Sequence, residues 1–318
     1  MKVIEHLKNS NKTLFSFELL PPLKGHNIEG IYRTIDPLLD FNPSFINITY
    51  HQEEVVYRKH KSGLLEKKTV RKRPGTVAIS AAIKYKYPSV DVVPHILCGG
   101  FTKEDTEYAL IDFHFLGINN ILALRGDPPK SMRVFVPEKE GHAYASDLVK
   151  QIIHMNEEKY LDQEIENSAA TDFCVGVAGY PEKHLESPNR ITELKYLKEK
   201  IDAGAEYIIT QMFFDNRKYF EFVKNCRNEG ITVPIIPGLK PITTLRDLNT
   251  LPQVFNIDIP EELVKEINKC KSNEEAFQAG IEWSINQSKE LIEFGVPVLH
   301  YFTIGISENI RQIARAVF

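Results

Sequence analysis

Asn120-Ile121-Leu122-Ala123-Leu124-Arg125-Gly126-Asp127-Pro128-Pro129 is a short apolar run that stops abruptly on charged, glycine and proline residues. Its length suits one strand, and an unbroken apolar run is what a strand buried on both faces requires. Upstream, Thr102 begins a helical stretch as an N-cap, with Asp105 three positions on in a box-like pattern. That stretch ends at Leu116-Gly117, where the glycine reads as a C-cap. Before it stands a second buried strand, Val92-Val93-Pro94-His95-Ile96-Leu97-Cys98, broken by Gly99-Gly100. Two doubly buried strands joined by a helix run parallel, because a helical crossover returns the chain to the same end.

The alternation continues in both directions. Leu14-Phe15-Ser16-Phe17-Glu18 stops at Pro21-Pro22, a helix follows across Ile28 to Leu39, and Phe45-Ile46-Asn47-Ile48-Thr49-Tyr50 is the next strand. Downstream come a helix from about Ala145 to His154, a strand over Phe173 to Ala178, and a helix from Arg190 to Ala203 before Gly204. Strands over Tyr207–Gln211, Val233–Gly238 and Val298–Thr303 complete the set, with extra helices near Glu261–Asn268 and Glu274–Ile292. Eight such strands predict an α/β fold, a (β/α)8 TIM barrel with extra helices between strands seven and eight. The 318 residues fit one barrel, so residues 1–318 are read as a single catalytic domain.

Composition narrows the function classes. At 42% hydrophobic and 26% charged residues the chain is of globular type. A net charge of −4 gives no basic excess, so no nucleic acid is expected as partner. No apolar stretch is long enough to span a bilayer, and Met1–His6 does not open a secretory signal, so no membrane partner is expected. Cys98, Cys174, Cys226 and Cys270 are scattered with no CxxC pair. They read as reduced, mostly buried thiols of a cytoplasmic protein. No HExxH or clustered ligand set suggests a metal. The basic stretch His51 to Arg73 reads as a solvated loop, with a mobile lid as the alternative.

In a barrel the active site forms where strands end, which here selects Glu18, Thr49, His95, Asp127, Tyr180, Gln211, Gly238 and Thr303. Glu18 is flanked by Phe17, Leu19 and Leu20, so desolvation is expected to raise its pKa and keep it protonated, as suits a general acid. A salt-bridged structural carboxylate is the alternative. Asp127 follows a glycine that lets the backbone approach a ligand; the alternative is a turn aspartate before Pro128-Pro129. Neither GxGxxG after a strand nor GxxxxGK[ST] is present, so any nucleotide is held in another way.

These segments resemble the methylenetetrahydrofolate reductases, FAD-dependent barrel enzymes, over nearly the whole chain. The resemblance rests on Phe15-Ser16-Phe17-Glu18-Leu19-Leu20-Pro21-Pro22, Asn47-Ile48-Thr49-Tyr50, Pro94-His95-Ile96-Leu97-Cys98, Ala123-Leu124-Arg125-Gly126-Asp127 and Tyr144-Ala145-Ser146-Asp147. It continues through Tyr180-Pro181-Glu182-Lys183-His184, Ile209-Thr210-Gln211-Met212-Phe213-Phe214-Asp215 and Leu299-His300-Tyr301-Phe302-Thr303. It implies ping-pong reduction of methylenetetrahydrofolate by NAD(P)H through FAD, supplying methyl groups for methionine synthesis. Glu18 would protonate folate N10 as the imidazolidine ring opens to an iminium. Asp127 would lie near the flavin N1 and C2 carbonyl and bind the pterin, and Gln211 would contact the substrate. Thr49, Tyr50, His95, Arg125, Gly126, Asp127, Tyr144, Ala145, Tyr180, His184 and Lys200 would contact FAD, with Arg125, His184 and Lys200 as diphosphate partners and Glu193 as an acidic contact to the adenosine part.

The chain departs from the family at His51-Gln52, which replaces Gly-Ala, and at Thr303-Ile304-Gly305-Ile306, which replaces Thr-Leu-Asn-Arg. A lysine of the basic stretch is a candidate substitute for that arginine. The resemblance further implies a homo-oligomer, and the end at Phe318 leaves no room for a regulatory domain. A proline dehydrogenase-like flavin barrel and a non-catalytic folate-binding barrel are the alternative readings.

Overall fold

The computed structural model describes residues 1–128 and 134–318; Pro129, the last residue of the turn quoted first, lies outside them. Eleven strands are present among the described residues: β1 (Leu14–Leu19), β2 (Phe45–Ile48), β3 (Glu54–Lys59), β4 (Leu65–Val70), β5 (Val92–Leu97), β6 (Asn120–Leu124), β7 (Cys174–Gly179), β8 (Tyr207–Thr210), β9 (Ile235–Ile236), β10 (Gly238–Leu239) and β11 (Val298–Phe302). Nine form one sheet in the order β10-β11-β1-β2-β5-β6-β7-β8-β9, parallel at every pair.

β9 and β10 are halves of one barrel strand, separated by Pro237. Proline has no N–H to give a ladder. The strand pairs with β8 before it (Ile208 with Ile235, Ile209 with Ile236) and with β11 after it (Gly238 with His300, Leu239 with Tyr301). The sheet therefore closes through this strand, as an α/β TIM barrel of eight staves. The sequence reading took Val233–Gly238 as one continuous strand; the proline divides it.

The pleat of each strand sorts its side chains. Successive residues face opposite sides. Phe15, Phe17, Ile46, Ile48, Ile121 and Ala123 face outward and pack with the helices in the main core. Phe45, Val93, Leu122, Cys174, Tyr207, Ile236 and Val298 fill the lower barrel interior. A helix over Val3–Lys8 closes the bottom: Val3 N–H donates to Asn120 Oδ1 at 2.8 Å, at the foot of β6. The same alternation turns Ser16, Glu18, Asn47, His95 and His300 inward, which makes the upper interior polar.

The extra helices between the seventh and eighth barrel strands are three: Asp247–Phe255, Glu261–Lys269 and Asn273–Phe294. Two were expected. The helix expected across Ile28 to Leu39 ends at Ile35 and tightens to a 3₁₀ turn over Asp36–Phe41, where Pro37 enters. The stretch His51 to Arg73 is not a loop. It holds an antiparallel hairpin, β3 against β4, with Glu54 opposite Val70 and Lys59 opposite Leu65. Val55, Val56 and Tyr57 supply β propensity, and Gly63 takes the positive φ of the tip. Both faces are largely solvated, so its charge hid its strands.

A Cβ on Gly238 would stand 2.2 Å from Thr210 O and 2.7 Å from the Phe302 ring. Gly238→Ala is expected to destabilise the barrel by about 2–3 kcal/mol. The urea midpoint should fall with its slope unchanged; a wild-type midpoint would show that the closure is not sterically tight.

Candidate active site

Glu18 stands inside the upper barrel among polar side chains. The Thr49 hydroxyl donates to its Oε1 at 2.6 Å. His95 Nε2 lies 3.4 Å and His300 Nε2 3.9 Å from its Oε2. Beneath them, His300 Nδ1 meets Ser16 Oγ at 2.8 Å, and His95 Nε2 lies 3.3 Å from the Asn47 amide. His300 Nε2 and Asn47 Oδ1 are buried with no hydrogen-bond partner, so the network retains unused capacity facing the carboxylate.

The expectation that Glu18 is held protonated is corrected here. Burial pushes its carboxyl up, but His95, His300 and Thr49 together outweigh burial and hold it below the ordinary glutamate value. The apolar neighbours Phe17 and Leu19 are real, yet the pleat sends them to the outer face. What surrounds the carboxylate is a donating hydroxyl and two imidazoles. Burial lowers the pKa of His95, while the Glu18 carboxylate opposes that shift.

At the rim, Asp127 is exposed, and its main-chain carbonyl accepts a hydrogen bond from Gln52 Nε2 at 2.8 Å. Gln52 fits because residue 99 is glycine: a Cβ there would lie 2.5 Å from Gln52 Oε1. His51 has its pKa lowered by burial and by Arg73, and it also feels Glu18, Glu54 and Asp127. The pair His51-Gln52 thus links the end of β2 to the end of β6. Gly126 has φ +86°, and a Cβ there would crowd Leu97 at 3.2 Å.

A second cluster, rich in cations, lies between the ends of β6 and β7 and the helix Arg190–Asp202. Arg125 pairs with Glu186 at 2.5 Å and sits 5.0 Å from the Phe135 ring centre. Lys200 gives one hydrogen bond, to Ala178 O at 2.6 Å. Burial pushes its pKa down to about 8, opposed by Glu193 and helped by Arg125. Tyr180 and His184 meet edge to face, with ring centres 4.8 Å apart. His184 is lowered by burial and then by Arg125. Glu193 is buried and receives the Ser187 hydroxyl. Tyr144 is exposed and occupies the N-cap of the helix Ala145–Asn156 with no side-chain cap, leaving that helix's first N–H groups available to a ligand.

The remaining strand-end residues divide by role. Thr303 donates its hydroxyl to Glu18 O at 2.7 Å and ties β11 to β1. Gly238 serves closure. Gln211 turns its Oε1 back to accept from Met212 N–H at 2.9 Å. Beside it, Glu182 Oε2 accepts from Asp258 N–H at 2.6 Å, which fastens the extra helices to the end of β7. Burial pushes the Glu182 pKa up to about 7.

The structure thus hydrogen-bonds Thr49 to Glu18, sets His95 3.4 Å from the same carboxylate, and gathers Arg125, Tyr180, His184 and Lys200 in a second cluster. Tyr50, buried, follows Thr49 and accepts from Arg71 at 3.3 Å. Site residues that sequence reasoning missed are Ser16, Asn47 and His300, whose signal was the inward parity they share with Glu18. His51 and Gln52 were noted as departures but given no role. Glu186 and Phe135 sit in loops and carried no signal.

A family model described as methylenetetrahydrofolate reductase matches residues 2–317. The chain is 32% identical over 325 residues to methylenetetrahydrofolate reductase (NADH) 1 of Arabidopsis thaliana, covering 97% of this chain and 49% of that protein. It is 30% identical over 295 residues to the 5,10-methylenetetrahydrofolate reductase of Escherichia coli, covering 92% of this chain and 86% of the relative. The chain therefore spans about half the length of its plant relative. Among solved structures, an uncharacterized Clostridium thermocellum protein that binds two copies of 5-methyl-5,6,7,8-tetrahydrofolic acid superposes with a TM-score of 0.57 at 16% identity, over 99% of this chain and 98% of that one. That likeness is one of fold.

Lys200 yields a test with a defined sign. Its folded pKa, about 8, lies below the ordinary lysine value of 10.5, so the unfolded chain holds the proton more tightly. Its charge destabilises the unliganded fold below pH 8, and the penalty fades as pH rises through that value. Lys200→Met is expected to raise stability at pH 7 by roughly 1–2 kcal/mol. Urea titrations at pH 7 and pH 10 should show that gain shrinking; a gain independent of pH would exclude a strained ammonium.

Proposed function

The chain belongs to the methylenetetrahydrofolate reductase family, and from that premise we propose that it reduces 5,10-methylenetetrahydrofolate to 5-methyltetrahydrofolate, taking electrons from NAD(P)H through FAD. The observation that carries this reading is the inward Glu18, held by Thr49, His95 and His300 beside a cation-rich wall. Residues 1–318 act as one catalytic domain in it.

The residues present fit FAD. A diphosphate needs donors, and Lys200 has two N–H groups beyond the one given to Ala178. Arg125, His184 and the uncapped start of the helix Ala145–Asn156 add further donors. A phosphate there would take over from Glu186 as the partner of Arg125. Gly126 allows close approach of the backbone, and Thr49, Tyr50, His95, Tyr144, Ala145 and Tyr180 complete the wall. When bound, the flavin supplies the chemistry of accepting hydride from nicotinamide and delivering it to the folate, in two half-reactions at one mouth.

The chain's own residues do the rest. Glu18 delivers the proton to folate N10 as the ring opens. In the unliganded protein it is a carboxylate, so it gains that proton once a bound ring covers the mouth and removes water from the site. Thr49 orients it, and the imidazoles of His95 and His300 stand within 4 Å when it is again ionised. Asp127, on the rim, stabilises the cationic iminium and anchors the pterin, with Gln211 as a further substrate contact.

The purified protein is expected to be yellow, to bleach with NAD(P)H and to recover its colour with methylenetetrahydrofolate. A colourless protein that takes up no FAD would overturn the reading. Glu18→Gln is expected to slow the folate half-reaction by about 10²–10⁴-fold while flavin reduction stays within about twofold, as stopped-flow absorbance would record. Equal losses in both halves would remove Glu18 from the role of acid.

A further inference from the structure

We propose that Gln52 is a positioning residue for the reaction: its amide fixes the turn that carries Asp127 and so sets the direction in which the Asp127 carboxylate meets a bound ring. The proposal rests on the reductase reading of the barrel mouth. It adds to that reading a residue which the family resemblance does not supply, since His51-Gln52 stands where Gly-Ala is usual.

The ends of three staves meet at this point. The ladder between β5 and β6 runs two rungs past the strands themselves: Cys98 N–H donates to Leu124 O at 3.0 Å, and Gly99 N–H donates to Arg125 O at 3.1 Å. Beyond that rung the chain from β6 reaches Gly126 and then Asp127, whose carbonyl is taken by a side chain instead: Gln52 Nε2 donates to it at 2.8 Å. Gln52 follows β2, which is not a neighbour of β6, so its side chain reaches across the end of β5 to make this bond. It can do so because residue 99 has no side chain. A Cβ there would stand 2.5 Å from Gln52 Oε1 and 3.3 Å from the Phe135 ring, and a Cβ on residue 100 would lie 3.6 Å from Gln52 Cβ. The amide thus rests on bare backbone. Its orientation is fixed by its partner, because a main-chain carbonyl accepts and only the amide nitrogen donates.

Holding the carbonyl matters because nothing else orients the carboxylate. The Asp127 side chain is exposed and takes no hydrogen bond or ion pair among the described residues, so its direction follows from its backbone. Gly126, at φ +86°, brings the chain into Asp127, and the bond from Gln52 fixes the carbonyl on its far side. A carboxylate on a turn held at both ends meets a ligand already oriented, which removes an ordering cost from the binding step. The bond also occupies a main-chain acceptor that would otherwise compete with the carboxylate for the N–H groups of a pterin.

The test uses the intact FAD-loaded protein and follows its affinity for 5-methyltetrahydrofolate through the flavin absorbance. Gln52→Met keeps the bulk of the side chain and removes the donor. Gly99→Ala keeps the amide and pushes it aside, a shift that the flexible end of Gln52 absorbs without loss of the fold. Either change is expected to weaken binding about fivefold, as the loss of one ordinary hydrogen bond would. Both remove the same bond, so Gln52→Met/Gly99→Ala should bind no more weakly than the weaker single variant. In an Asp127→Asn background there is no carboxylate to orient, and Gln52→Met should then change the affinity by less than about twofold. Wild-type affinity in Gln52→Met overturns the proposal. So do losses that multiply in the double variant, and so does an undiminished loss in the Asp127→Asn background, which would give Gln52 a role that does not pass through Asp127. Urea midpoints of the unliganded chain separate this from the reductase reading. If no folate binds, yet the single variants lower the midpoint and the double variant lowers it no further, the reductase reading fails and the bond between Gln52 and the Asp127 turn stands. Midpoint shifts that simply add, with no folate bound, overturn both.

Discussion

A parallel sheet leaves two raw edges unless it closes, and here closure depends on how one strand changes partners at Pro237. Before the proline the backbone bonds to β8; after it, Gly238 and Leu239 bond to β11. Gly238 lies so near Thr210 O that no side chain fits between them. Every inward residue owes its position to this joint, because closure converts a strand's alternation into an inside and an outside. Without it Glu18 and His300 would be on the face of an open sheet, with water able to take every hydrogen bond they now make.

The polar upper interior follows from that geometry. Five inward side chains, Ser16, Glu18, Asn47, His95 and His300, come from four different strands and stack above an apolar floor. Burying an unmatched carboxylate is costly, and burying it against hydroxyl and imidazole donors is not. The donors fix its orientation and its ionised state together. The cation-rich wall shows the opposite arrangement. Lys200 is desolvated and only partly compensated by Glu193, so that part of the fold is less stable alone than it would be beside an anion.

Much of the barrel was legible in the chain. Doubly buried strands announce themselves as apolar runs, and Gly and Pro mark their ends. The strand ends also yielded Glu18, Thr49, His95 and Asp127 as mouth residues. The charge state of Glu18 was not legible, because Phe17 and Leu19 are neighbours in sequence but face the other side of the sheet. Its actual surroundings come from afar, as Ser16 and His300 show, in contact although 284 residues apart. The hairpin was missed because solvation on both faces erases the period of two on which strand reading depends. The helix Asp247–Phe255 was missed behind its internal Pro252.

The hairpin pairs only with itself: β3 and β4 form a separate two-stranded sheet and contribute no rung to the barrel. Its residues are therefore free to drift. Lengthening an arm or exchanging a lysine for a glutamate alters no stave and moves no part of the Glu18 network. An appendage of this kind can change its surface while the barrel beneath it keeps its staves.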